Sequence, residues 1–571
     1  MDLTKTTRKR TTHIHKMSET NEAETSAYMA DSTTKPHLMP GGPYTSSNFI
    51  VQCLYKISTV CLTPWSHILD RLLAMFIRTS ETSRGSILSF CIKAFLLLIV
   101  LLCLTPIAIF AFIIWFPLQW FRPRSFSYIS PHTEKESSSS GKYERVFLSN
   151  RLSPSVSSIT SAPQSARGAQ TFSVMSANLC LMPEFIAHIN NLTNSVTRGK
   201  KMAAFFCGEP VPRAKVNQGV GEGVSKPTET DFLVATLSTE SVSTGGREYE
   251  PIAGENIDSR SITSAQWSIT SKERTVSENF SFIADFLCLQ EVFDGRSTNQ
   301  LIQGLKRKYP YIIYDVSQPL HNCRMTLLGS GLCIASLHPF IDISFKPYPD
   351  GHNDDKLACK GLLMTKVFLG KDDRGHDLVG YLATTHLQAW SHSHASTVRC
   401  KQLDSIYSWM EEFKLNSATR DGNTSEKVLF NVITGDFNFD KASYYDLNEQ
   451  RCQFLQQFID PCIDEQSGGQ HSWVVGTELN QTRMHEDRVK TPRGLQRMLV
   501  SELERCRYVA STTPTKNSLQ KPQDGKRKID YILYEECPNI NTDIKDFKFF
   551  TGLATLTDHL PVGMVFSCHD I

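Results

Sequence analysis

The sequence predicts an α/β sandwich of stacked mixed sheets under helices, preceded by N-terminal membrane-associated hydrophobic segments. Three observations predict it. From Phe280 onward, short apolar strand-like runs alternate with runs of helical period. Polar motifs stand at the ends of several of the strand-like runs, where loops deliver side chains to one edge of a sheet. Near the N-terminus, Ala94 to Phe121 holds no charged residue and exceeds the ~20 residues needed to cross a bilayer.

At 571 residues the chain has room for about two to four domains. A net charge of +2 excludes a generally basic nucleic-acid binder, so any charge effect is local. The 16 cysteines show no Cys-x-x-Cys pair and no paired zinc spacing, which favours reduced thiols over a disulfide framework. Cys53, Cys61, Cys91 and Cys103 lie in or beside apolar stretches, as sites for S-acylation or as small buried hydrophobes.

Taken in order, residues 1–47 are basic and polar. Lys5, Arg8, Lys9, Arg10 and Lys16 fall among threonines before Met17, which suits either a transit peptide or an unstructured basic tail. Residues 48–124 are the membrane-associated segments. Phe49 to Ile77 is interrupted by Lys56, Pro64, Asp70 and Arg71; charges at the centre of a spanning helix cost about 2.5–3.5 kcal/mol each, so an interfacial position is expected here. Ala94 to Phe121 is the membrane-embedded candidate, kinked or re-entrant at Pro106 and Pro117, with Trp115, Trp120, Phe121, Arg122 and Arg124 as interfacial anchors. Residues 125–169 are a Ser-rich linker. The remainder, 170–571, is a catalytic domain with a low-complexity insertion at about 208–279.

In that domain strands are expected at 171–180, 286–290, 331–336, 361–368, 379–386, 428–435, 529–534 and 562–566, and helices at 298–308, 395–413 and 448–458. Asn178, Gln290-Glu291, His386-Leu387-Gln388, Gly435-Asp436-Phe437-Asn438 and Asp558-His559 stand at strand ends, and Ile529-Asp530-Tyr531 begins another strand. Any one of these is explained as a turn or cap residue; five together point to a site. A carboxylate with an asparagine is an oxygen-rich set suited to Mg²⁺, which places Glu291 and Asn178 as ligands. Two histidines with separate carboxylates suit acid/base work on a phosphodiester. Asp530 is placed to orient His559 as the base for an attacking water, and His386 and Asn438 to donate to phosphate oxygens. No serine or cysteine has a nucleophile context, and His392 and His394 lack a third ligand at zinc spacing.

At these residues the chain resembles the deoxyribonuclease I-like phosphodiesterase superfamily, over roughly Thr171 to Phe566 apart from the insertion. Asp285 to Asp294, Asp355 to Gly361 and Leu556 to Val562 are similar to the neutral sphingomyelinases, and the paired apolar segments before a Ser-rich linker are similar to the membrane-bound subgroup with its mitochondria-associated member. The resemblance implies a four-layer α/β sandwich and Mg²⁺-dependent hydrolysis of sphingomyelin, with Mn²⁺ able to substitute. It implies anionic phospholipids as activators, the bilayer as partner, no nucleic acid, and a catalytic set of His559, Asp530, His386, Asp436, Asn438 and Asp558. Asp355 and Lys360 correspond to an Asp-Lys switch governing substrate access. Cys359 stands where that family usually has Ser, and Gly329 where an Asn is usual. A mitochondrial address is expected, with the endoplasmic reticulum, Golgi or plasma membrane as alternatives. The rivals are another lipid or inositol phosphodiesterase or phosphatase, or a nuclease, of the same superfamily, and a non-catalytic membrane lipid-binding scaffold.

Overall fold

The computed structural model describes residues 49–82, 86–118, 126–131, 169–209, 275–317, 326, 328–390, 392–419, 426–441, 443, 446–464, 466, 469–511 and 525–569. The basic N-terminus, Trp120 to Arg124, most of the Ser-rich linker and most of the insertion lie outside these residues.

Two helices open the described chain, α1 (Phe49–Ala74) and α2 (Ile87–Leu118). They pack together through Trp65 Nε1, which donates to Thr105 Oγ1 at 3.0 Å, and through an edge-on contact of Phe76 with Phe90. Helix α2 begins earlier than the uncharged stretch and takes in Lys93; it runs on through Pro106 and Pro117. Among the described residues it is the one helix long and apolar enough to cross a membrane. The charge at the end of α1 has a use that its sequence context did not suggest. Asp70 is buried, and its carboxylate accepts hydrogen bonds from the backbone amides of Glu184 and Phe185 at 3.1 and 3.0 Å, with Arg296 at 3.6 Å. Those amides open a helix of the α/β domain, where unpaired N–H groups favour an anion. His188 Nδ1 pairs with Ala74 O at 2.9 Å, and Ser80 N donates to Asn191 Oδ1 at 2.7 Å, so the segment leaving α1 is docked on the α/β domain.

That domain contains β1 (Ser127–Ile129), β2 (Ala169–Leu181), α3 (Glu184–Ile189), α4 (Ser195–Phe206), β3 (Val276–Ser277), β4 (Phe286–Val292) and α5 (Gly295–Leu305). After these come β5 (Tyr311–Tyr314), β6 (Cys333–Ser336), β7 (Phe340–Pro347), β8 (Gly361–Lys371), β9 (Asp377–His386), α6 (Ser393–Thr419) and β10 (Glu426–Asp436). Short helices α7 (Leu447–Gln450), α8 (Phe454–Gln457), α9 (Pro492–Val500) and α10 (Glu502–Tyr508) precede β11 (Asp530–Glu535), β12 (Asn541–Phe550) and β13 (Val562–His569). Each expected strand is present. The helix expected at 448–458 is two single turns, α7 and α8. The stretch expected to be pure linker supplies β1, which pairs with β5. The end of the insertion supplies β3, paired with β12.

The strands form an eight-stranded mixed sheet, β1-β5-β6-β4-β2-β13-β12-β3, and a five-stranded mixed sheet, β11-β10-β9-β8-β7. Alternate residues of β2 show how the layers stack. Met175, Ala177 and Leu179 join Met202 and Ala203 of α4 and Leu301 and Ile302 of α5 in an outer core. Phe172, on the opposite face, meets Phe430 of the other sheet at 5.2 Å between ring centres, and Phe430 also meets Phe286 and Phe566 at 5.6 and 5.5 Å. A second outer core joins Leu362, Met364, Tyr381 and Ala383 to Leu403, Ile406 and Met410 of α6. The order is helix, sheet, sheet, helix. Strands covered on both faces read as nearly continuous apolar runs, and each buried ring contributes about 1.5–3 kcal/mol.

Strands β2 and β4 are parallel, as are β9 and β10. Their carboxyl ends meet at one edge of the sandwich, and there the regular backbone gives way. Glu291 and Asn438 hold left-handed φ values of 57° and 56°. Such conformations cost of order 1–3 kcal/mol and gather at functional sites. Gly435 has φ 149°, and a Cβ there would lie 2.1 Å from Thr385 O; glycine is required for β10 to pass this close to β9.

Candidate active site

The apolar strands fix where each polar end must project. Asn178 leaves β2 at a bulge, and its Nδ2 lies 3.0 Å from Glu291 Oε1 and 3.0 Å from Asp436 Oδ2. His386 ends β9, in register with Asp436 at the end of β10; its Nε2 is 3.6 Å from Asp436 Oδ2 and 3.9 Å from Glu291 Oε1. Asp530 begins β11, paired with Asp436, and its Oδ2 is 2.8 Å from His559 Nδ1. The other imidazole nitrogen, Nε2, faces Asp436 at 4.0 Å. Six of the residues singled out from sequence, distant along the chain, thus share one cleft edge.

The others stand around it. Asp558 is buried beside Asn178's turn and turns its Oδ2 to Gln481 Nε2 at 2.9 Å. Asn438 N donates to Asp436 Oδ1 at 2.9 Å, while its side-chain amide donates to Leu387 O at 3.1 Å, so that N–H is engaged by the scaffold. Asp355 and Lys360 form an ion pair of 2.8 Å, and each also binds the segment just after His386: Ala389 N donates to Asp355 Oδ2 at 2.7 Å and Lys360 Nζ to Leu387 O at 2.9 Å. Lys360 Nζ also stands 3.1 Å from His386 Nε2. An ammonium only donates, so in this arrangement His386 Nε2 accepts from Lys360. Gln290, grouped with Glu291 in the sequence, separates from it: its amide bridges the sheets, from Ser176 Oγ at 3.2 Å to Thr384 Oγ1 at 3.0 Å.

Burial and crowding of like charge set the electrostatics. Burial, then the Asp558 carboxylate, raises the Glu291 pKa; burial, then Asp530, raises that of Asp436. Burial, then Lys360, holds His386 well below the usual imidazole value. Burial opposes charge on His559 as well, but Asp530, Asp436 and Asp558 override it and hold that imidazole well above its usual value. Among the described residues, Asp530 Oδ1 and His386 Nδ1 are buried without a hydrogen-bond partner.

This donor set fits a hard divalent cation. One ligand atom each from Glu291, His386 and Asp436 lies within 4.8 Å of the others, and the same holds for Asp436, Asp530 and His559. Crowded carboxylates with raised pKa values and an adjacent asparagine favour added positive charge and oxygen coordination. The third imidazole missing beside His392 and His394 in the sequence is His352, whose ring centre is 5.3 and 4.2 Å from theirs; yet among the described residues the donor sets convergent enough for an ion are the two at the strand ends.

Three supports escaped the sequence. Thr477 Oγ1 accepts from the amides of Ile529 and Asp530 at 3.0 and 3.2 Å, Thr557 Oγ1 donates to Asn178 O at 2.8 Å, and Arg198 binds the turns on both sides. All three act largely on backbone groups, which leave no sequence pattern.

No family model matches the chain. It is 30% identical over 558 residues to sphingomyelin phosphodiesterase 5 of Danio rerio, covering 90% of this chain and 96% of that protein. It is 39% identical over 305 residues to sphingomyelin phosphodiesterase 3 of Homo sapiens, covering 51% of this chain and 46% of the relative, so the match spans about half of that relative's length. Among solved structures it is similar to SmcL, at 14% identity and a TM-score of 0.34 over 70% of this chain and 99% of that one. With near-complete coverage of the Danio rerio relative, and with the sequence motifs gathered at one sheet edge, the chain belongs to the sphingomyelin phosphodiesterase family.

Proposed function

We propose that this protein hydrolyses sphingomyelin to ceramide and phosphocholine at a membrane surface, with Mg²⁺ at the acidic strand ends. The observation that carries the proposal is the 2.8 Å pairing of His559 Nδ1 with Asp530, beside the converged Glu291, Asn178 and Asp436. Pairing at Nδ1 fixes the tautomer that leaves Nε2 to accept a proton. Water attacks phosphorus, and its proton passes to His559 Nε2. The new P–O bond forms as the bond to the ceramide oxygen breaks, and that oxygen leaves as the alcohol after taking up a proton from water.

Glu291, with Asn178 and Asp436, would hold the ion. When bound, Mg²⁺ polarises the phosphoryl group and, by neutralising Glu291 and Asp436, lowers the His559 pKa toward the range where it accepts a proton. Lys360 acts as the gate: once it leaves His386, Nε2 is free to take up a proton from water and donate a hydrogen bond to a phosphate oxygen.

The lipid assignment is supported by α2 and by how its flanks are held. Ser80, before α2, is bonded to Asn191, and Ser127, after it, lies in β1. Both flanks of α2 are thus held against one α/β domain, which supports association of the helix with one face of the bilayer without a full crossing. Lys93, Arg122 and Arg124 suit attraction to anionic headgroups at about 1 kcal/mol each. The basic segment before Met17 supports a mitochondrial membrane, with the endoplasmic reticulum, Golgi or plasma membrane as alternatives.

The purified full chain in mixed micelles is expected to release phosphocholine from sphingomyelin with Mg²⁺ and to stop with EDTA. Equal release from phosphatidylcholine would remove the substrate assignment.

A further inference from the structure

Arg198 lies on α4 and is 3% exposed. All five of its N–H groups are used, and none of these bonds goes to a carboxylate. Nε donates to Thr193 O at 3.2 Å; Nη1 donates to Leu179 O at 3.2 Å and Leu556 O at 2.6 Å; Nη2 donates to Cys180 O at 2.7 Å and Ser195 Oγ at 3.2 Å. A buried guanidinium is costly to keep, and five satisfied donors are the condition for keeping it.

What it binds is informative. Leu179 and Cys180 directly follow Asn178, at the bulge where β2 loses register with β4, and Cys180 has a left-handed φ of 46°. Leu556 directly precedes Thr557-Asp558-His559 and follows Thr555, whose φ is 63°. Leu179 and Cys180 are the unpaired residues of that bulge, and Leu556 lies in the turn before β13. The arginine is itself held, because the Glu184 carboxylate accepts from the backbone amides of Asn194 and Ser195 at the start of α4, the latter at 3.0 Å. Lysine, with three donors at one point and no fork, cannot reproduce five bonds to four carbonyls and a hydroxyl.

We infer that Arg198 is a positioning residue that clamps the Asn178–Cys180 bulge of β2 to the Leu556–His559 turn, and so fixes the cation-ligand side of the site relative to the base; this rests on the roles proposed above for Asn178 and His559. Arg198 touches no reacting atom. It acts through the backbone of residues that do, and supporting groups of this kind typically change ion affinity or activity by about 10–100-fold.

The test compares the full chain with R198K and with Met410→Ala, a buried change in the outer core of the other sheet, away from both segments. Three properties are measured: Mn²⁺ affinity by electron paramagnetic resonance, hydrogen exchange in peptides covering 179–181 and 556–560, and kcat and KM for phosphocholine release. R198K is expected to bind Mn²⁺ about 10-fold or more weakly, to exchange faster in both segments, and to lose kcat at nearly unchanged KM. Met410→Ala is expected to melt lower while keeping Mn²⁺ affinity and kcat. Wild-type behaviour of R198K, or equal losses in Met410→Ala, overturns the inference. A wild-type chain that releases no phosphocholine removes the substrate proposal, while Mn²⁺ affinity and exchange still decide on Arg198. Should R198K not fold, Thr557→Val cuts the direct brace between the same segments and leaves Arg198 in place. Weaker Mn²⁺ binding is then expected, and unchanged binding overturns the inference.

Discussion

Lys360 Nζ stands 3.1 Å from His386 Nε2, so a buried lysine from the loop before β8 donates to the imidazole that ends β9. The contact joins the loop carrying Asp355 to the acidic strand ends. Its consequence is electrostatic, because burial and then Lys360 depress the His386 pKa. A depressed imidazole binds fewer protons folded than unfolded, so stability from this group is complete above about pH 6.5 and is lost as pH falls toward the folded value. Lys360→Met relieves part of the depression. Its melting temperature is therefore expected to fall less steeply between pH 6.5 and 5 than that of the wild type, and a parallel or steeper decline counts against this placement of Lys360.

The Asp530–His559 pair has the opposite sign. Burial opposes the charge and Asp530 more than restores it, so the folded pKa lies above the unfolded one and the stabilisation is complete below about pH 6.5. In EDTA it is lost as pH rises through the raised value. Asp530→Asn is expected to flatten that alkaline decline, visible in melting curves, and to lower kcat by about 10²–10⁴-fold with little change in KM. An unchanged kcat would remove Asp530 as the group that orients His559.

Both flanks of α2 attach to one domain through Ser80 and Ser127. Epitope tags inserted at the Ser-Arg-Gly segment 83–85 and in the linker at 140–145 are expected to be digested together by protease added to one side of sealed membranes. Protection of one tag while the other is cut would show a full crossing.

The ends of β2, β4, β9 and β10 were legible in sequence because these strands are buried on both faces; a continuous apolar run then stops at a polar residue where the sheet ends. The same reasoning failed where burial is one-sided or partners are distant. Asn541 to Lys545 in β12 alternates exposed and half-buried residues, and Ile544 is its single apolar side chain, too few for a strand signature. Strand β1 is three residues long and pairs with β5, far along the chain. Asp70 read as a charge unsuited to the membrane, because a carboxylate that caps a helix more than a hundred residues away carries no local mark. Arg198 was invisible for a related reason: four of its five bonds go to backbone carbonyls, which every residue has.

The central claim is that water activated at His559 attacks phosphorus directly, with no covalent intermediate on the protein. Hydrolysis of sphingomyelin by the full chain in ¹⁸O-water, with Mg²⁺, followed by mass spectrometry of both products, tests it. One ¹⁸O atom is expected in phosphocholine and none in ceramide, and His559→Ala is expected to form neither product at an appreciable rate. Label in the ceramide hydroxyl, or wild-type rates from His559→Ala, would contradict the account.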